Sequence, residues 1–128
     1  MNLLSFVTIG LGAACGAWLR WLLGALVNAV YPPIPLGTLA ANLLGSFLMG
    51  IALVLLVERG MFPPEVRIAF ITGFLGCLTT MSTFSAEAMT LIARADYAIA
   101  AWLVVLHVGG SVLMVFIGAL ATRALTGS

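Results

Sequence analysis

Between Thr79 and Ser85, five of seven side chains carry hydroxyls: Thr79, Thr80, Ser82, Thr83 and Ser85. Gly73 and Gly76 stand just upstream, and Glu87 adds an acid just downstream. The surrounding segment is apolar, and a polar group buried in hydrocarbon must find an internal partner or suffer desolvation. Hydroxyls can satisfy the backbone groups freed where a helix stops. Broken helices at membrane depth are tolerated where they line a cavity or bind an ion. The pattern therefore predicts that a helix ends near residues 77–80 and restarts near 82–84. The competing reading is a Ser/Thr-rich packing face between helices. The break is preferred because glycines, hydroxyls and an acid coincide.

Few other residues could meet an ion. Thr38 and Asn42 are four apart and share a helix face with Gly45, Ser46 and Met49. Asn42 reads either as an interhelical hydrogen bond or as a pair of N–H donors for a passing anion. Arg20 stands in a four-residue ladder with Gly12, Gly16 and Gly24. A charge there should face protein or water, or reach the headgroups between Trp18 and Trp21, and both hold if it lines a watery vestibule. His107 and Ser111 are also four apart. With no second histidine or nearby acid to complete an ion site, His107 reads as a satisfied core residue. Cys15 and Cys77 lie in apolar segments and read as small buried residues, not as a disulfide or metal pair. No His, Cys or carboxylate pair has a spacing suited to catalysis, so no enzyme is expected.

The elements that must position these groups follow from composition. Of 128 residues, 63% are hydrophobic and 7% charged, and the mean hydropathy is +1.25. A soluble domain of that composition is implausible. The expectation is an all-α integral membrane protein in a lipid bilayer, a single four-helix domain over residues 1–128. Its spans run at about 3–30, 36–57, 68–93 and 97–125, with the third broken mid-membrane. The net charge of +1 points to no nucleic-acid partner. A cleavable signal peptide is not expected, since the first apolar segment is long and lacks a basic n-region. The turns are the proline-rich Tyr31–Gly37, the charged loop 58–67 and Arg94-Ala-Asp96. Arg59, Arg67 and Arg123 fall on one side and Arg94 on the other, a weak orientation bias. A chain so balanced can insert both ways and pair as an antiparallel dimer. Small-residue seams at Gly12, Gly16 and Gly24, and at Gly110, Met114 and Gly118, are expected to supply the contact faces.

The run from Thr72 to Glu87 resembles the signature of the Fluc (CrcB) family of fluoride channels. So do Gly-Ala-Trp-Leu-Arg20-Trp in the first span and Gly37-Thr-Leu-Ala-Ala-Asn42 in the second. The resemblance covers essentially the whole chain. It implies a dual-topology, antiparallel homodimer in the cell inner membrane, with two fluoride pores and a structural sodium ion. It further implies that Asn42, Met81 and Phe84 line the path, with Ser82, Thr83 and Ser111 as a polar track. Thr38 and Glu87 would sit at a vestibule with Arg20 near a mouth, and backbone carbonyls of Gly76 and Thr79 would hold the sodium. Two positions depart from the family pattern. Met81 stands where a phenylalanine is usual and lacks that ring's positive edge, and Cys77 replaces a usual glycine. The rival reading is a small dual-topology proton-coupled drug exporter. Such a carrier needs a titratable acid in the first span, where this chain has Arg20.

Overall fold

The computed structural model describes residues 1–127. Helix α1 spans Leu3–Val27. Helix α2 spans Leu36–Ala52 and runs on through a π-helical stretch, Leu53–Glu58. Helix α3 joins Pro64–Ile68, a π-helical stretch Ala69–Leu75 and a last turn Gly76–Leu78. Helices α4 (Met81–Ala93) and α5 (Tyr97–Thr126) complete the chain.

The boundaries have local causes. Asn2 caps α1 by accepting the Ser5 N–H at 2.8 Å. Prolines 32, 33 and 35 forbid a continuous helix, and α1 stops at Val27, short of the expected residue 30. The Asn28 side chain then accepts the Gly37 N–H at 2.8 Å, tying the start of α2 to the end of α1. Gly60, at φ +60°, supplies the left-handed residue that ends α2. Pro64 opens α3 at the first helical position, where a missing N–H costs nothing, so the helix begins before the expected residue 68.

Thr79 (φ −85°, ψ 154°) and Thr80 (φ −150°, ψ 117°) are extended between α3 and α4. The helical path is interrupted for those two residues, and α4 resumes at Met81, ahead of the expected 82–84.

Backbones approach closely at glycines. A Cβ on Gly12 would collide with the Ala69 carbonyl, and one on Gly16 with the Phe74 carbonyl, so α1 lies directly on the π-helical stretch of α3. A Cβ on Gly50 would meet the Val115 carbonyl, and one on Gly118 the Phe47 carbonyl, closing α2 onto α5. These ladders are therefore engaged inside the chain. The expectation that they form the contact faces between copies is corrected on that ground. Small side chains permit the approach, so the buried core is compact: Ala41, Ala52, Leu56, Leu75 and Leu78. Large apolar side chains such as Phe6, Trp18, Trp21, Trp102 and Phe116 face outward. That inversion suits a lipid surroundings. Four helical spans, Leu3–Val27, Leu36–Glu58, Pro64–Ala93 and Tyr97–Thr126, are long and apolar enough to cross a membrane.

Candidate functional site

The interruption at Thr79–Thr80 is tied to α2 by one side chain. The Thr80 N–H, which a continuous helix would direct to the Gly76 carbonyl, donates to Asn42 Oδ1 at 2.7 Å. Asn42 Nδ2 returns a hydrogen bond to the Thr80 carbonyl at 3.1 Å. A single amide thus replaces both backbone partners, as burial requires. The Thr80 hydroxyl caps α4 by accepting the Thr83 N–H at 3.2 Å, and donates to Thr83 Oγ1 at 3.1 Å. It also lies 3.3 Å from Ser82 Oγ. Thr79 Oγ1 donates to the Leu75 carbonyl at 2.9 Å. Of the hydroxyl run only Thr80 meets a backbone group freed at the interruption, because the Leu75 carbonyl already accepts the Thr79 N–H and Ser85 Oγ donates to the Met81 carbonyl of its own helix.

A cavity of about 440 Å³ opens beside it, between α2, the end of α3, the start of α4 and α5. Asn42, Gly76, Thr79, Met81, Phe84 and Ser111 line it, together with His107. No Asp, Glu, Lys or Arg is among the lining residues. The N-terminus of α4 at Met81 brings the positive end of a helix dipole to its wall. Phe84 is buried at 8% exposure, whereas Met81, at 70%, sits on the open rim. The His107 ring stacks on Phe84, with centroids 4.5 Å apart and planes inclined by 25°. His107 Nδ1 lies 2.9 Å from Asn42 Nδ2.

A second cavity, of about 520 Å³, is lined by Arg20, Trp21, Asn28, Thr38, Thr80 and Thr83, among others. Thr38 Oγ1 donates to Glu87 Oε1 at 2.6 Å, bringing Glu87 to this side. The expected residues thus divide into two groups. Asn42, Met81, Phe84, Ser111, Gly76 and Thr79 share the first cavity, while Arg20, Thr38 and Thr83 share the second. Ser82 is exposed and joins them through the Thr80 hydroxyl. Thr80, which lines both cavities, was not singled out from sequence. Its signal was its position directly before the helix restart, the capping place. His107 was read as core, yet it reaches the first cavity from the same helix face as Ser111.

A family model described as "CrcB-like protein, Camphor Resistance (CrcB)" matches residues 7–119. The chain belongs to the CrcB family. This CrcB chain is 49% identical over 125 residues to "Fluoride-specific ion channel FluC" of Ralstonia nicotianae, covering 98% of this chain and 99% of that one. It is 50% identical over 125 residues to the protein of the same name from Cupriavidus taiwanensis, with the same coverage. It is 47% identical over 123 residues to that of Nitrosospira multiformis, covering 96% of each. As a CrcB protein with four apolar spans, it is a multi-pass membrane protein.

Proposed function

We infer that this chain is a fluoride-selective channel of the cell inner membrane, letting fluoride leave by passive conduction. The observation that carries the reading is the near-full-length identity, 47–50%, to relatives named for fluoride conduction. The chemistry of the first cavity supports it. Fluoride is small and tightly hydrated, so a selective path must offer directional donors in place of water. The cavity offers hydroxyls, an imidazole, a phenyl ring and a helix N-terminus, and no carboxylate lines it. An acid-free lining favours an anion over a cation. The drug-exporter reading lacks support. Its proton-exchanging acid is missing from α1, which carries Arg20.

The working unit we propose is an antiparallel, dual-topology homodimer with two pores. The first cavity is open at Met81, and Ser82 and Ser85 are exposed beside it. Hydroxyls facing lipid are unfavourable, so a second copy is the fitting cover. In each pore Asn42, Met81 and Phe84 line the path, with Ser82, Thr83 and Ser111 as the polar track. Arg20, Thr38 and Glu87 form a vestibule. The proposed third-helix break lies at membrane depth, where the helix end and restart face the path.

A structural sodium ion fits the donors at the end of α3. Among the described residues no group of His, Cys, Asp or Glu side chains is gathered to hold a metal, so backbone oxygens must serve. The Thr80 N–H goes to Asn42 and leaves the Gly76 carbonyl available, at the negative end of the helix dipole. Carbonyls of Gly76 and Thr79, with the same pair from a second copy, are a hard-oxygen set suited to sodium. The ion would offset the two helix ends that meet there. The test of function is efflux from liposomes holding the purified protein, with a potassium ionophore to balance charge. Fluoride should leave and chloride should stay. Equal release of both anions, or of neither, would remove the assignment.

A further inference from the structure

We propose that His107 is a hydrogen-bond donor of the anion path, held by Asn42 as the neutral tautomer with its proton on Nε2. The donor role rests on the fluoride-channel reading; the tautomer rests on geometry alone. The Thr80 N–H can only donate, so the Asn42 atom 2.7 Å from it must be the oxygen. The Thr80 carbonyl can only accept, so the atom 3.1 Å from it must be the nitrogen. The orientation of the amide is thereby fixed from both ends. Its Nδ2 carries two hydrogens: one goes to Thr80, and the other points along the 2.9 Å contact to His107 Nδ1. An Nδ1 that accepts carries no proton, so the ring is neutral and Nε2 bears the N–H.

That N–H stands out. His107 is 3% exposed, and among the described residues its Nε2 has no hydrogen-bond partner. A buried donor left unmade is unfavourable, because it has lost its water and gained nothing in exchange. Here it belongs to a ring that lines the first cavity and is fixed by the stack on Phe84. Both Asn42 hydrogens, by contrast, are already engaged. Asn42 therefore acts on the ion largely through His107, as a positioning residue, while His107 Nε2–H makes the contact.

The chain has a single histidine, so isotope-labelled histidine reports this ring alone. Nitrogen NMR of the full chain in bilayers at neutral pH should show a protonated Nε2 and a bare Nδ1. Sodium fluoride should shift the Nε2–H signal saturably, and sodium chloride should not. A proton on Nδ1, or on both nitrogens, overturns the proposal. So does an Nε2 signal indifferent to fluoride in a preparation whose liposomes release fluoride. If those liposomes release none, the channel reading fails and takes the donor role with it, while the tautomer result still judges the Asn42 lock. Flux through two variants gives a second measurement. His107→Gln keeps one acceptor and one donor and should stay within about tenfold of the parent, whereas His107→Phe keeps the ring stack and should lose about a hundredfold. Equal flux through the two variants would overturn the donor role.

Discussion

Asn42 joins three groups that no other described side chain connects: the Thr80 N–H, the Thr80 carbonyl and His107 Nδ1. Asn42→Leu leaves all three without a partner, each worth about 1–3 kcal/mol if buried and unmade. We expect fluoride flux to fall at least about a hundredfold and thermal stability in detergent to drop with it. A variant that conducts normally would mean the amide is dispensable. Met81 presents the opposite case. At 70% exposure it stands on the rim, while Phe84 and His107 form the buried wall. Met81→Phe should change flux by about tenfold or less, an effect of about 1.4 kcal/mol on a barrier. Measured as the initial rate of efflux, a silent parent rescued by this substitution would make position 81 an essential coordination stage. The residue scale is also where sequence reading reached its limit. Asn42 and Thr80 lie 38 positions apart, and no local pattern pairs an amide with a distant backbone. His107 was judged by the absence of a second histidine or acid, but its partners are an amide and a phenyl ring.

Helices α1 and α3 meet through backbone, and this makes a sharp test of glycine position. Gly16 has the Phe74 carbonyl where a Cβ would go, whereas Gly10 has open space. Gly16→Ala should lower the melting temperature and reduce monodisperse yield. Gly10→Ala should be neutral or stabilising by up to about 1 kcal/mol, from helix propensity. Similar behaviour of the two variants would contradict the close α1–α3 contact. The spans were legible because twenty or so apolar residues in a row have few alternatives. The π-helical stretches at Leu53–Glu58 and Ala69–Leu75 were not. Such widening answers the packing of neighbours, and α1 lying on Ala69 and Phe74 is tertiary information. The glycine ladders were legible as close-contact faces, but their spacing does not say whether the partner is the same chain or another.

At the scale of the whole molecule, charge is nearly balanced end to end. Only Arg59, Arg67 and Arg123 stand at the end holding the 58–67 loop, with Arg123 paired to Glu58 at 2.6 Å, so the basic excess there is small. Arg94 stands at the other end, between α4 and α5. Such a chain should insert in both directions. A single cysteine in the 58–67 loop, with Cys15 and Cys77 replaced, should be labelled in similar amounts from each side of sealed vesicles. Labelling from one side alone would contradict the antiparallel pair. The central claim is passive, selective conduction of fluoride, and a reversal potential tests it most directly. With the protein in a planar bilayer, fluoride graded across the membrane and chloride equal on both sides, current should reverse near the fluoride equilibrium potential. Imposing a pH gradient should not move it. A reversal that follows chloride, or that shifts with the proton gradient, would contradict the account.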